Sequence, residues 1–353
     1  MAELRELSLR WDCKLLEAFL ARAGLRLEPD LTYCCGLYEG DDLLACGGYS
    51  GHTIKCLAVR EDRRGETLLN TLVSHLYTRL RTQGAQNVFV FTKPENQPLF
   101  RSLGFSPVAR GESALLLESD RHGISRYLTC LQEESPFTPS TPVGAVVMNA
   151  NPFTLGHQFL LEQAAGQCGT LHVFVVQEEK SVFPFDARLQ LVQEGSRHIP
   201  GVVVHKGGPY IISSATFPSY FIKDPAGAAP AHASLDAALF ASRIAPALCI
   251  SVRFCGEEPL DPLTQLYNHT LARVLPQHGL RFCVLARQGQ DGAPISASRV
   301  RKLLAQGETQ RVKPLVPAAT YAYLTSPQGA AIIEKLQQKD GTLHGSTQLS
   351  PNR

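Results

Sequence analysis

The stretch Val143–Ala165, VGAVVMNANPFTLGHQFLLEQAA, decides the fold of the second half of this chain. Its first six residues are apolar and rich in β-branched side chains, and a polar Asn-Pro loop follows them, so they predict a short buried strand. From Gly156-His157 onward the apolar residues recur at helical spacing, which predicts a helix. The unpaired N–H groups of its first turn form an anion site, which His157 would face.

A second motif lies at Ile295–Arg301, ISASRVR, directly before a predicted helix at Val300–Leu304. Ser298 is expected to cap this helix, and the guanidinium groups of Arg299 and Arg301 suit the β- and γ-phosphates of a nucleotide. The plainer interpretation of each motif is structural: a capped surface helix with an exposed His or Arg. The presence of both, in this order, favours a nucleotide site.

These two strings resemble the signatures of the nucleotidylyltransferase superfamily. Thr154–His157, T-L-G-H, is similar to its T/H-x-G-H motif, and ISASRVR is close to I-S-S/T-T/S-x-I/V-R. In that superfamily the His contacts the phosphates while a nucleophile attacks the α-phosphorus of ATP. The resemblance implies a doubly wound, Rossmann-like parallel sheet with the ligand at the carboxyl ends of its strands.

Composition and charge narrow the functional classes. The chain has 353 residues, of which 44% are hydrophobic and 19% charged, and its formal charge is +2. No basic stripe or long apolar run is present, so neither nucleic acid nor a membrane is expected as a partner. The ten scattered cysteines form no C-x-x-C pair, which indicates reduced thiols in a cytoplasmic protein without a metal site.

A Pro-rich stretch at Glu133–Pro142, EESPFTPSTP, separates two regions that each have periodic elements. The sequence therefore predicts an α/β protein with a first domain at 1–135, a linker at 136–142, a second domain at 143–336 and a disordered tail at 337–353. In the second domain, strands alternate with helices, and Ala247–Phe254 is one of the predicted strands.

The first domain resembles the GNAT N-acetyltransferases in its order of strands, Arg-Gly loop and helix, which implies a mixed sheet. The acetyl-CoA loop of that family, R-G-x-G-x-G/A, is altered, because Thr67 and Leu69 replace two small residues. Phe100 stands where many members have a Tyr that protonates the departing thiolate. We therefore expect this domain to hold a carrier protein or its pantetheine-like arm rather than to use acetyl-CoA.

Further strings resemble one branch of the superfamily, the citrate lyase ligase family. They are KGGPYIISSATFPSYF at 206–221, GEEP at 256–259, TQLYN at 264–268 and LVP at 315–317. The resemblance implies that ATP and acetate form acetyl adenylate. The acetyl group then passes to the thiol of the phosphoribosyl-dephospho-CoA group on the citrate lyase acyl carrier protein, with release of AMP and pyrophosphate and activation of citrate lyase. Mg²⁺ is expected to arrive with ATP.

The resemblance assigns roles to individual residues. His157, Thr154 and Arg301 are the catalytic candidates, and Lys180 and Arg188 are additional phosphate candidates. The residues expected around ATP are Met148, Asn149, Asn151, Pro152, Phe153, Thr154, His157, Ser296, Ser298, Arg299 and Arg301. Two other functions stay open: an adenylyltransferase acting on a small phosphorylated substrate, and a GNAT acetyltransferase that uses acetyl-CoA.

Overall fold

A computed structural model describes residues 2–65, 67–135, 142–177, 181–212, 217–222, 224–257, 262–287, 289–290 and 293–345. The predicted linker, apart from Pro142, lies outside these ranges. By its internal contacts the chain forms two compact units. Unit 1 comprises Met1–Cys130, Ile212–Arg243 and His269–Val274, and unit 2 comprises Leu131–Ile211, Ile244–Asn268 and Leu275–Arg353.

The elements up to the linker, in chain order, are β1 (Glu3–Leu7), α1 (Cys13–Arg22), β2 (Tyr33–Glu39), β3 (Asp42–Ser50), β4 (Thr53–Val59), α2 (Leu68–Thr82), β5 (Phe89–Thr92), α3 (Gln97–Ser102), β6 (Ser106–Arg110), β7 (Leu115–Glu118) and α4 (Gly123–Glu133). The later elements are β8 (Val143–Met148), α5 (Leu155–Ala165), β9 (Thr170–Val175), α6 (Phe185–Ser196), β10 (Val202–Lys206), α7 (Ala228–Leu239), α8 (Ala245–Ala247), β11 (Val252–Gly256), α9 (Pro262–Gln277), β12 (Arg281–Leu285), β13 (Gly289–Gln290), β14 (Ala293–Pro294), α10 (Ala297–Ala305), α11 (Thr309–Val312), α12 (Ala318–Leu324) and α13 (Pro327–Gly345).

Unit 1 is built on a mixed seven-stranded sheet with the order β1-β2-β3-β4-β5-β7-β6. All neighbouring pairs are antiparallel except β4 and β5, which are parallel. Helix α2 packs on this sheet because Leu72, Leu76 and Leu80 lie on one helical face and join the same apolar core as Ile54. This arrangement is the GNAT-like mixed sheet that the sequence predicts.

Unit 1 also contains a segment from the second half of the chain, Ile212–Arg243, which the sequence places in the second domain. Its helix α7 lies against the end of β6, where a Cβ on Gly111 would come within 2.8 Å of the Leu235 backbone nitrogen. The Glu112 N–H also donates to Ser234 Oγ at 3.0 Å. The compact units therefore do not follow the continuous ranges 1–135 and 143–336.

Unit 2 is built on a parallel five-stranded sheet with the order β10-β9-β8-β11-β12. The chain starts at the central strand β8, adds β9 and β10 on one side, and then crosses over to add β11 and β12 on the other. The strand order reverses between β8 and β11, and in such sheets ligands bind at the carboxyl ends beside this switch point. The doubly wound parallel sheet that the superfamily resemblance implies is confirmed.

Two predicted elements of unit 2 differ in the structure. The strand expected at Ala247–Phe254 begins only at Val252, because helix α8 runs to Ala247 and Cys249 then takes a left-handed φ of 55°. The tail expected to be disordered from Gln337 is helical as far as Gly345, in continuation of α13. Ile332 is buried beside α10, and the Gln337 side chain donates to the Leu304 carbonyl at 3.3 Å, so this helix is anchored to unit 2. Within the ranges given above, no helix is both long and apolar enough to cross a membrane.

Two buried histidines join neighbouring strands of unit 2. His172 Nδ1 on β9 lies 2.9 Å from His205 Nε2 on β10, and His205 Nδ1 lies 3.0 Å from the Glu134 carboxylate. Burial and the neighbouring His205 lower the pKa of His172 to about 4. An imidazole with so low a pKa is neutral in the native protein near pH 7.

We expect the free energy of unfolding to decrease as the pH falls from 6.5 towards 4. In that window the unfolded chain binds a proton at His172, whose ordinary pKa is 6.5, while the native protein with a pKa of about 4 does not. The full effect of this one group amounts to about 3 kcal/mol or less. Denaturant unfolding at several pH values measures it, and a His172→Gln variant should show a shallower dependence on pH. An equally steep dependence in that variant would assign the acid sensitivity to other groups.

Candidate active site

The N-terminus of α5 is closed by a reciprocal pair of hydrogen bonds between Thr154 and His157. The His157 N–H donates to Thr154 Oγ1 at 3.3 Å, and the Thr154 N–H donates to His157 Nδ1 at 3.1 Å. Thr154 is therefore the N-cap of the helix, and its side chain is almost fully buried. This burial leaves the Thr154 side chain little surface for the predicted contact with ATP. Its hydrogen bonds instead fix the orientation of the His157 imidazole.

The same hydrogen bonds define the protonation of His157. Nδ1 accepts a hydrogen bond from the Thr154 N–H, and burial together with the neighbouring Arg287 and Arg301 lowers the pKa of His157 to about 4. The neutral ring therefore carries its proton on Nε2. The ring also stacks on Phe153, with centroids 5.7 Å apart, so its orientation is fixed. His157 is thus a positioned neutral hydrogen-bond donor.

Gly156 brings the two sequence motifs into contact. A Cβ at this position would lie 2.5 Å from the Ile295 carbonyl oxygen, the first residue of ISASRVR. Only glycine allows the first turn of α5 to approach that backbone so closely. The glycine of T-L-G-H is therefore required by the packing of the second motif against the first.

We expect Gly156→Ala to lower the free energy of unfolding by about 2 kcal/mol, the usual cost of overpacking, and to reduce activity by displacing Ile295. Gly166→Ala, at the other end of α5, is the matched control because its Cβ would meet no atom closer than 3.5 Å. Denaturant unfolding of both variants measures the difference. Equal stability of the two variants would contradict the close packing at Gly156.

Helix α10 starts one turn earlier than the sequence predicts, and Ser296 rather than Ser298 is its cap. Ser296 Oγ accepts the Arg299 N–H at 3.1 Å. Ser298 lies in the first helical turn, is exposed, and accepts a hydrogen bond from Arg301 Nη2 at 3.2 Å. Both serines and Arg299 thus lie at the N-terminal turn of α10, where an anion is favoured.

Arg301 links this turn to the loop that follows β8. Its Nη1 donates to the Asn151 carbonyl, and burial lowers the pKa of its guanidinium. Because Arg301 also lowers the pKa of His157, the two side chains lie within electrostatic range of each other. The structure thus brings together His157, Arg301 and the N-terminal turns of α5 and α10 at the switch point of the sheet.

Arg188 has a different role from the phosphate contact expected from the sequence. Its side chain is fully buried, and it donates to the Asn149 and Val176 carbonyls at 2.8 Å and to the Phe183 carbonyl at 3.0 Å. It also donates to Asn149 Oδ1 at 2.7 Å. A guanidinium bound to backbone carbonyls in the interior holds the loops after β8 and β9 and is not accessible to a phosphate.

Other predicted ATP contacts also belong to the framework of the site. The side chains of Met148, Pro152 and Phe153 are buried, and Met148 and Phe153 belong to the apolar core of unit 2. Asn151 Oδ1 accepts the Phe183 N–H at 3.0 Å, and the Asn149 amide pairs with Ser181. These residues shape the loop, so any contact with a ligand is restricted to their backbone or to the remaining accessible atoms.

Arg287 is a further residue near His157 that neither sequence motif indicates. It lies two residues beyond the carboxyl end of β12, and burial lowers the pKa of its guanidinium. It is the first of the two arginines that depress the pKa of His157. Its position just after a predicted parallel strand could have identified it, because ligands bind at the carboxyl ends of such strands. Lys180, another phosphate candidate, lies outside the described residues.

A protein-held metal centre is not evident in the part of the chain that the structure describes. No group of three or more His, Cys, Asp or Glu side chains there is arranged to hold an ion. The groups that the structure brings together here, namely backbone N–H groups, arginine side chains and one neutral imidazole, are of the kind that suits an anion.

Comparison with known proteins agrees with this geometry. Residues 143–324 match the model of the citrate lyase ligase C-terminal domain. The citrate pro-3S-lyase ligase of Klebsiella pneumoniae is 41% identical over 88% of this chain and 91% of its own length, and that of Escherichia coli K12 is 38% identical over 87% and 88%. A solved structure, Escherichia coli ElaA, covers 34% of this chain with 19% identity and a TM-score of 0.29, so the GNAT-like description of unit 1 is based on its strand order alone. The family model and these relatives together show that the chain belongs to the citrate lyase ligase family.

Proposed function

We propose that this protein is an ATP-dependent ligase that activates citrate lyase by acetylating the thiol on its acyl carrier protein. In the first step a carboxylate oxygen of acetate attacks the α-phosphorus of ATP. The bond from that phosphorus to the bridging oxygen breaks, and acetyl adenylate and pyrophosphate form. In the second step the carrier thiolate attacks the acetyl carbonyl carbon, the bond to AMP breaks, and the thiol proton passes to the solvent.

One observation carries the proposal: two helix N-termini and the loop after β8 meet at the switch point of unit 2. Gly156 packs on the Ile295 carbonyl, and Arg301 binds the Asn151 carbonyl. A triphosphate needs several donors that point into one place, and this arrangement supplies backbone N–H groups with the positive ends of two helix dipoles. The family membership supplies the identity of the reaction.

The first step needs no nucleophile from the protein, because acetate itself attacks. The protein must align acetate with the α-phosphorus and stabilise the negative charge that moves onto the leaving pyrophosphate. His157 Nε2–H is a donor for a phosphate oxygen, and its neutral state avoids a proton transfer to the leaving group. Arg301 and Arg287 supply positive charge, and Arg299 and Ser298 complete the turn that faces the β- and γ-phosphates.

Mg²⁺ fits this site as part of the nucleotide. It prefers several oxygen ligands, and ATP with its water shell provides them without a carboxylate cage. The metal would neutralise charge on the phosphates, while His157 and the arginines of the site would hold and orient the triphosphate. The carrier's phosphoribosyl-dephospho-CoA group would then bring its thiol to the adenylate.

Exchange of labelled pyrophosphate into ATP tests the first step alone. We expect exchange to depend on acetate and to occur without the carrier protein, because acetyl adenylate forms reversibly before the thiol reacts. Exchange that does not depend on acetate but requires a phosphorylated small molecule would indicate the adenylyltransferase alternative. Acetylation of the carrier from acetyl-CoA in the absence of ATP would indicate the acetyltransferase alternative.

A further inference from the structure

The mixed sheet of unit 1 has an opening between β4 and β5. These parallel strands pair only at their starts, Thr53 with Phe89 and Ile54 with Val90. Beyond these two pairs, β4 continues beside β3 and β5 continues beside β7, so the facing edges of β4 and β5 separate. A gap between strands exposes backbone groups that must find other partners.

A segment from the second half of the chain, Phe217–Ile222, supplies a partner at this gap. Its Tyr220 is 4% exposed, and the phenol donates to the Phe91 carbonyl of β5 at 3.0 Å. On the β4 side, the Cys56 thiol donates to the Arg26 carbonyl at 3.6 Å, and the Arg26 N–H donates to the Tyr220 carbonyl. Tyr220 is thus connected to both of the separated strands, directly to β5 and through Arg26 to β4.

The backbone of the same segment is fixed by the loop that precedes β2. Glu28 Oε1 accepts the N–H groups of Ser219 and Tyr220 at 2.7 and 2.8 Å. The Arg26 N–H donates to the Tyr220 carbonyl at 2.9 Å, and its guanidinium donates to the Ser219 carbonyl at 3.0 Å. A carboxylate and a guanidinium that clamp neighbouring peptide groups hold the segment in one register.

Aromatic packing adds an apolar anchor at the β5 side. The rings of Phe217 and Phe91 meet edge to face with centroids 5.8 Å apart, and Phe217 also packs on His232 of α7 at 5.5 Å. His232 Nε2 also lies 2.9 Å from the Ile212 carbonyl, so α7 contacts both Phe217 and an earlier residue of the chain. Two kinds of interaction, hydrogen bonds and aromatic contacts, therefore hold Phe217–Ile222 in place.

We propose that Phe217–Ile222 is a built-in occupant of the opening between β4 and β5, with Tyr220 as its anchor. The opening is thereby closed to an extended thioester or pantetheine-like arm, so unit 1 uses no acetyl-CoA there. The consequence for the carrier, which rests on the proposed function, is that its prosthetic arm reaches the adenylate without entering this opening. This replaces the expectation that unit 1 receives such an arm in a free groove.

Cys56 reports on the occupant, because its buried thiol donates to the carbonyl of Arg26, whose N–H donates to the Tyr220 carbonyl. Burial raises the pKa of this thiol to about 12. We expect Tyr220→Ala in the full chain to raise the rate of Cys56 alkylation by iodoacetamide roughly tenfold or more, since access and local opening control thiol reactivity. Tyr220→Phe keeps the ring and loses only the hydrogen bond to Phe91, so a smaller rise is expected. Mass spectrometry of the labelled peptides identifies Cys56.

Cys46, which is buried on the neighbouring strand β3, is the internal control and should keep its wild-type rate. Tyr210→Ala, at another buried tyrosine, controls for general destabilisation. The proposal is overturned if neither Tyr220 variant labels Cys56 faster than the wild type. It is also overturned if acetyl-CoA binds the wild-type protein at micromolar concentration and protects Cys56. Acetate-dependent pyrophosphate exchange by the Tyr220→Phe variant, measured in parallel, should stay near the wild-type rate and tests the proposed function separately.

Discussion

His157→Asn is expected to reduce AMP formation by about two to three orders of magnitude, the usual loss when one charge-stabilising donor is removed. The imidazole is held by Thr154 and Phe153, and its Nε2–H is the group available for a phosphate oxygen. Asparagine is shorter and cannot place a donor at the same point while it still accepts the Thr154 N–H. The loss should lie mainly in turnover, because the developing charge on the leaving group is greater than that in bound ATP.

The control for this prediction is His198→Asn, which changes an exposed histidine that contacts Glu162 on the far part of α5. Both variants should keep the thermal stability of the wild type within a few degrees, so that a loss of rate reports on chemistry. Because the pKa of His157 is about 4, activity should show no decline from its protonation as the pH falls through 6.5. A His157→Asn protein that forms AMP at nearly the wild-type rate would remove His157 from the mechanism.

Local sequence patterns were sufficient to predict the elements that carry the proposed site. A β-branched run, a polar loop and helical spacing gave β8 and α5 almost to the residue, and ISASRVR gave α10. The switch point followed from the alternation of strands and helices. Each of the two short motifs specifies hydrogen bonds to backbone groups a few residues away. Such local structure is what sequence patterns predict best.

The side-chain roles were less predictable because they depend on contacts between distant residues. Arg188 was expected to contact a phosphate, yet it binds the Asn149 carbonyl from a position 39 residues away in sequence. Ser296 and Ser298 are equivalent candidates for a cap until the helix start is known, and the structure selects Ser296. Arg287 lies outside both motifs, and only the assembled sheet brings it near His157.

The proposed occupant of the opening between β4 and β5 also depends on contacts between residues far apart in sequence. The sequence of Phe217–Ile222 does not indicate that the Tyr220 phenol donates a hydrogen bond to Phe91, which lies 129 positions earlier. The replacements Thr67, Leu69 and Phe100 did indicate that unit 1 departs from a working acetyltransferase. The sequence thus predicts that unit 1 does not act as an acetyltransferase, and the proposed occupant of the sheet opening offers a physical reason for this prediction.

Arg301→Lys is expected to weaken ATP binding and turnover together, each by roughly tenfold or more, since hydrogen bonds of charged groups contribute about 1.5–3 kcal/mol. The guanidinium donates to the Asn151 carbonyl and to Ser298 Oγ at the same time, which joins the loop after β8 to the first turn of α10. A lysine keeps the positive charge but has no planar fork, so it can serve only one of these partners well. The loop and the helix N-terminus would then lose their fixed spacing, and both bind the same triphosphate in the proposed function.

The matched control is Arg311→Lys, an exposed arginine that pairs with Glu308 at the start of α11 and makes the same chemical change on the same unit. Steady-state rates at varied ATP, with pyrophosphate exchange as readout, should separate the two variants, with Arg311→Lys close to the wild type. Affinity for ATP is the decisive quantity, because a residue that only caps a helix would change stability and leave the KM for ATP unchanged. Unchanged ATP affinity in Arg301→Lys would therefore assign ISASRVR a structural role, whereas a joint loss of affinity and turnover would support a role of Arg301 in holding the elements that bind the triphosphate.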